Sequence, residues 1–269
     1  YGEEFDRLLD LSKVGAISVK GTSAKAIEGN LTPRLFPTSS GMLNSIGLQN
    51  VGVDAFIRDK MPYLRNSDCP VIVNVFGFSV EEYVEVVTKL NDCDGIAAYE
   101  LNISCPNTHA GGMVFGTNPS STKELTAKVK EASLRPIIVK LSPNVTDICE
   151  LAIAAEGAGA DGLTIANTYL AMAIDPETLR PRIKTITGGL SGSAIRPITL
   201  RMVYQASKVV RIPIFGLGGV NSGEAAAEYL IAGASAIQIG TGNFEDPKSS
   251  IRIIDELRKY MSRKHISSV

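Results

Sequence analysis

Seven short apolar runs punctuate this chain, at residues 16–21, 71–77, 97–104, 136–142, 162–168, 213–219 and 236–241. They are rich in Val, Ile and Leu and are bounded by Gly, Pro, Asn or Ser, as strands buried on both faces are. From the second run onward each is followed by a segment of helical period, at 80–90, 122–132, 147–158, 197–209, 223–232 and 247–261. Buried strands alternating with helices require a parallel sheet joined by right-handed crossovers. The expected class is therefore α/β, as a TIM (β/α)8 barrel. A closed barrel needs eight strands, so the expectation is one domain over 1–269, truncated at its N-terminus, with the first strand upstream of Tyr1.

A chain of 269 residues with 44% hydrophobic content can bury a single large core of this kind. The formal net charge is −1 and the basic residues are scattered, which leaves no electrostatic footprint for nucleic acid or an anionic membrane. No apolar run approaches the roughly 18 to 20 residues that span a bilayer. The four cysteines, Cys69, Cys93, Cys105 and Cys149, are far apart and form no C-x-x-C pair. That spacing encodes neither a disulfide framework nor a metal site, and it fits a reducing cytoplasm. Small molecules and proteins are the expected partners.

Chemistry in such a fold concentrates where strands end. Here the ends carry Lys20-Gly21-Thr22, Asn74, Asn102 with Cys105, Lys140, Asn167-Thr168, Gly218-Gly219 and Gly240-Thr241. One Asn at a strand end is ordinarily a turn former, but three on separate strands describe a polar ligand rim. Gly218-Gly219 and Gly240-Thr241-Gly242 follow the last two strands, where barrels hold phosphate on backbone N–H groups. Gly188-Gly189-Leu190-Ser191-Gly192 reads as a third glycine-rich loop. Lys140 and Lys20 sit in apolar strands, where a lysine is costly unless paired or used, and both are expected to point into the barrel mouth. The stretch 22–65, with Pro33, Pro37, Gly41 and Pro62, is too long for an ordinary connection and is expected to carry substrate contacts.

Cys105 stands apart from the other three cysteines, which read as small buried hydrophobes. It follows a strand and enters a loop with Pro106, Asn107, His109 and Gly111-Gly112. A thiol there can act as nucleophile or as general base, and His109 is placed to lower its pKa, although a lone loop histidine is more often merely solvated.

Several long segments together resemble one family. They are Val19-Lys20-Gly21-Thr22, Ser40-Gly41-Met42-Leu43-Asn44-Ser45-Ile46-Gly47-Leu48-Gln49-Asn50, Asn102-Ile103-Ser104-Cys105-Pro106-Asn107 and Gly111-Gly112-Met113-Val114-Phe115-Gly116-Thr117. The likeness continues through Val139-Lys140-Leu141-Ser142-Pro143-Asn144 and Gly189-Leu190-Ser191-Gly192 to Gly240-Thr241. These resemble the catalytic subunit of class 1B dihydroorotate dehydrogenases. The resemblance implies an FMN-binding barrel that oxidises dihydroorotate to orotate in pyrimidine synthesis. On it, Cys105 is the base that takes the C5 proton while hydride leaves C6 for the flavin. Lys20, Asn44, Ser45, Ile46, Gly47, Leu48, Asn102, Asn167 and Thr168 match substrate positions. Lys20, Gly21, Asn74, Asn102, Lys140, Ala166, Gly192, Gly218, Gly219, Gly240 and Thr241 match FMN positions, with Ala166 standing where the family usually has a larger aliphatic residue.

The same resemblance implies a homodimer within a heterotetramer, whose second subunit carries FAD and a 2Fe-2S cluster and passes electrons to NAD. The Gly-Gly-Met-Val-Phe-Gly-Thr continuation favours this NAD-linked type over the fumarate-using one. A dihydropyrimidine dehydrogenase flavin subunit shares the barrel and thiol, but the run at 40–50 and Lys20 argue against it. A non-catalytic barrel for a phosphorylated ligand is the alternative of another class.

Overall fold

The computed structural model describes residues 1–5, 8–104 and 115–268. Seven of its strands are β1 (Ile17–Ser18), β4 (Val71–Val75), β5 (Ile96–Asn102), β6 (Ile137–Lys140), β7 (Gly162–Ile165), β12 (Ile214–Leu217) and β13 (Ala236–Gln238). They pair in parallel in the order β1-β4-β5-β6-β7-β12-β13. Each lies within, or one residue outside, one of the seven apolar runs. All five residues of β4 are buried, because helices cover one face of the sheet and the sheet's own interior covers the other.

The helices form where capping and periodicity agree. Ser79 accepts a hydrogen bond from the Glu82 amide and starts the helix Val80–Asn91, which buries Tyr83, Val86, Val87 and Leu90 on one face. Asn118 caps Pro119–Ala132, Asp147 caps Ile148–Gly157 and Ser222 caps Gly223–Ile231. Helices Arg196–Ala206 and Ser249–Lys264 complete the set that follows the expected alternation. None of the described helices is long and apolar enough to cross a membrane.

Inside the sheet, alternate residues build layers. Ile72, Ala98 and Ile138, with Phe215 against them, form a small apolar cluster separate from the main core between sheet and helices. Two residues further along the strands, Asn74, Glu100 and Lys140 form a polar layer, and Asn102 lies above it. Glu100 demonstrates the curl of the sheet. It sits on β5, yet Gln238 of β13 donates to its Oε2 at 2.9 Å. In a flat sheet those strands, four steps apart, would be separated by about 19 Å. Among the described residues no strand joins β13 back to β1.

The excursion after β1 folds against a second excursion after β7. Strands β2 (Leu35–Thr38), β3 (Gly41–Asn44), β8 (Tyr169–Met172) and β11 (Thr187–Ser191) make an antiparallel sheet in the order β2-β3-β11-β8. A small hairpin pairs β9 (Ile174–Asp175) with β10 (Arg180–Pro181). Most of the segment 188–192, expected as a glycine-rich loop, is thus the strand β11. Its glycines serve close approach rather than turning: a Cβ on Gly188 would come within 2.5 Å of the Asn44 carbonyl oxygen, and one on Gly189 within 2.0 Å of Thr168 Oγ1.

Candidate active site

Two cavities of about 190 Å³ each open at the C-terminal end of the barrel strands, and they share Asn167 and Thr168 as a common wall. One is built mainly of side chains. Lys20, Asn44, Ser45, Ile46, Gly47, Leu48, Asn102, Asn167 and Thr168 all line it, together with Gly21, Gln49 and Gly189. The whole expected substrate set is therefore gathered in one place.

Hydrogen bonds fix the amides of this cavity. Asn102 Oδ1 accepts from Ser104 Oγ at 2.8 Å and from Asn167 Nδ2 at 3.3 Å, and the Tyr83 hydroxyl donates to the Asn102 carbonyl at 2.7 Å. Asn167 Oδ1 accepts from the Thr168 amide at 2.8 Å, while Asn144 Nδ2 donates to the Thr168 carbonyl at 3.0 Å. Asn44 Nδ2 donates to the Gly189 carbonyl at 3.2 Å, which ties β3 to β11 beside the cavity. Asn30 Nδ2 donates to the Ser45 carbonyl at 3.0 Å, whereas Ser45 Oγ is buried without a partner among the described residues. Lys20 stands in the open mouth, but the protein around it and the nearby Arg34 guanidinium lower its pKa. An anionic ligand would oppose both effects, since its negative charge favours the ammonium form.

The second cavity is built mainly of backbone. Ala166, Gly192, Gly218, Gly219, Gly240 and Thr241 line it, with Ser191, Ser193, Gln238 and Gly242. Gly192 and Gly219 have φ of +100° and +67°, conformations that side chains rarely adopt. A Cβ on Gly219 would lie 2.7 Å from the Gly192 carbonyl oxygen, so these two turns close tightly on one another. Gly240 differs, because a Cβ there would meet only Leu217 Cδ1 at 4.0 Å and would otherwise project into free space. Tyr229 donates to the Gly218 carbonyl at 2.7 Å, and burial pushes its own pKa well up. Thr241 Oγ1 donates to Ser191 Oγ at 2.7 Å, linking the last strand end to β11. Glycine turns around a hollow with hydroxyls at its edge fit a phosphate-bearing ligand.

Two members of the expected cofactor set, Asn74 and Lys140, line neither cavity. They lie in the polar layer below and converge on Glu100, whose side chain is 0% exposed. Asn74 Nδ2 donates to Glu100 Oε1 at 2.6 Å and Lys140 Nζ is 3.3 Å from the same oxygen. Thr164 Oγ1 donates to Oε2 at 2.6 Å. Burial alone would raise the Glu100 pKa, but Lys140 and the hydrogen bonds from Thr164, Gln238 and Asn74 outweigh it and hold the carboxyl below its usual range. Lys140, expected to face a ligand in the mouth, has a buried partner in Glu100 and keeps 16% of its side chain exposed. Glu100 is absent from the sequence reading because a lone acid inside a strand has no local signature of pairing. Cys105, His109, Gly111 and Gly112 lie outside the described residues.

The chain belongs to the dihydroorotate dehydrogenase family, whose profile matches residues 1–261. It is 51% identical, over its whole length and 88% of the relative, to the dihydroorotate dehydrogenase B (NAD(+)) catalytic subunit of Geobacter metallireducens. The Geobacter sulfurreducens protein of the same name is 50% identical over the same shares. A Solibacter usitatus protein provisionally named dihydroorotate dehydrogenase A (fumarate) is 53% identical over 99% of this chain and 88% of its own.

Proposed function

We propose that this chain oxidises dihydroorotate to orotate in pyrimidine synthesis, with the pyrimidine in the side-chain cavity and FMN in the glycine cavity. The observation that carries the reading is the common wall. Nine residues matching substrate positions line one cavity, six matching cofactor positions line the other, and Asn167 and Thr168 belong to both. Ligands filling both would lie side by side, as transfer between them requires.

Bound FMN supplies a two-electron acceptor for the hydride that leaves C6. The chain's own residues do the rest. Cys105, as thiolate, takes the C5 proton, so the substrate loses one proton and one hydride and gains the ring double bond. Lys20 meets the substrate carboxylate, and Asn44, Asn102 and Asn167 orient the planar ring through their amides. On this reading residues 1–269 form one FMN-binding barrel domain.

The electrons then pass to a second subunit with FAD and a 2Fe-2S cluster and on to NAD, in a cytoplasmic heterotetramer built on a homodimer of this chain. Support for the NAD route comes from the names of the Geobacter relatives, and the Solibacter name makes fumarate the alternative acceptor to assay. The central test is Cys105→Ala, followed by stopped-flow reduction of the flavin with dihydroorotate. Reduction should slow by about 10²- to 10⁴-fold while FMN and orotate still bind. Flavin reduction at the parental rate would remove Cys105 from the base role.

A further inference from the structure

The polar layer beneath the two cavities converges on one group that the reaction itself does not use. Glu100 accepts from five side chains on five other strands: Ser18 on β1, Asn74 on β4, Lys140 on β6, Thr164 on β7 and Gln238 on β13. An ionised carboxylate has about four lone-pair sites and no proton to give. Its neighbours must therefore all present donors. For Thr164 and Lys140 that sets only where a proton points, but for the two amides it fixes which end faces which way.

Asn74 turns its Nδ2 to Glu100, so its Oδ1 faces away, toward Gly21, where a Cβ would come within 3.1 Å of that oxygen. Gln238 turns its Nε2 to Glu100 at 2.9 Å, and the same residue lines the glycine cavity. Lys140, with 16% of its side chain exposed, is held by its ion pair at the edge of the same layer. With its Nε2 engaged by Glu100, Gln238 has its Oε1 left to accept from a ligand in that cavity, while the Lys140 ammonium lies in the layer behind it. That acceptor complements a planar heterocycle whose edge carries a ring N–H.

We propose that Glu100 is the positioning residue of the cofactor floor: it holds Asn74 and Lys140 in the layer beneath and orients Gln238, which lines the glycine cavity, so that the amide oxygen of Gln238 is left to face the flavin ring. The proposal rests on the FMN reading above. It differs from a purely structural role in one respect. A group that merely fills and ties the barrel interior contributes to stability, whereas a group that sets amide orientation also tunes the ligand.

Glu100→Gln separates the two. The variant places an –NH2 group where only acceptors now stand, so Asn74 or Gln238 must turn over to avoid facing it with another donor. Apoprotein from parent and variant would be titrated with FMN, and the visible spectrum and flavin reduction potential recorded. We expect FMN affinity in the variant to fall on the order of 10- to 100-fold, with a displaced potential, because one ring-facing acceptor becomes a donor. Parental affinity, spectrum and potential in Glu100→Gln would overturn the proposal, whatever happens to its melting temperature. If that variant does not fold, Gln238→Met is read in the same titration. A weakened FMN complex supports the proposal, and an unchanged one overturns it. A parent that takes up no FMN would overturn the flavin reading and this inference with it. A parent that binds FMN beside an indifferent Glu100→Gln would sink the role of Glu100 alone.

Discussion

The two cavities at the barrel mouth are of the same size and share a wall, yet they are made in opposite ways. The Lys20–Asn44–Asn102 cavity exists because side chains reach into it, and the Gly192–Gly218–Gly240 cavity exists because side chains are missing from it. The first should therefore respond to truncation and the second to addition. A side-chain site reads the shape and charge of a small ligand. A backbone site admits a bulky phosphorylated one and has few groups to lose.

Four substitutions and one titration probe this contrast. Lys140→Ala should have the largest effect, because it strips the counter-charge from the fully buried Glu100, and breaking such a pair typically costs about 3–5 kcal/mol. Chemical denaturation gives that figure, and FMN should be lost from the variant more readily than orotate affinity declines. Lys20→Ala should reverse the pattern. Removing a charged hydrogen-bond partner costs about 1.5–3 kcal/mol, so the orotate dissociation constant should rise roughly 10- to 100-fold while FMN stays bound. Equal effects of the two lysines on both ligands, followed by flavin absorbance during orotate titration, would break the contrast.

Gly189→Ala attacks the common wall. Its Cβ would press on Thr168 Oγ1 from 2.0 Å, so overpacking should cost about 1–3 kcal/mol and both ligands should weaken together. Gly240→Ala is the sharpest of the set. With only Leu217 Cδ1 at 4.0 Å, the added methyl should leave stability within about 0.5 kcal/mol of the parent and yet weaken FMN binding. A melting temperature that falls with FMN affinity unchanged would show that this glycine serves the fold and not the cavity.

The smallest effect is a pH dependence. Lys20 has a folded-state pKa below its ordinary value near 10.4, so the fold favours its neutral form and stability rises with pH between the folded and unfolded values. An anionic ligand needs the ammonium, so orotate affinity should fall as pH climbs through that same window, and Lys20→Ala should lack this part of the profile. Glu100 shifts stability in the same direction with pH, but in the acid range. Its depressed pKa contributes stability above the unfolded carboxyl value near 4.3, and that contribution is lost as pH falls through the folded value.

What was legible in the sequence follows the same division. Strands buried on both faces announce themselves as apolar runs, and all seven lie where those runs placed them. The strands of the antiparallel sheet do not. β2 contains Pro37 and alternates exposed with half-buried residues, and β11 begins Thr187-Gly188-Gly189, so neither carries an apolar period. Glycines of that kind read as a loop until the neighbour they admit is known. The rim residues could be found because each ends a strand. Glu100 could not, since its five donors come from strands as much as 138 residues away in the chain.

The antiparallel sheet also has a consequence for when this site comes into being during synthesis. β3 bonds to β11 through the pairs Asn44–Gly189, Leu43–Leu190 and Met42–Ser191, and Ser191 in turn accepts from Thr241. The first wall of the side-chain cavity therefore waits for a strand made nearly 150 residues later, and the glycine cavity waits for Thr241. A nascent chain that has emerged through β7 has most of its parallel strands but neither cavity, so ligand capture marks the end of folding and cannot guide its beginning.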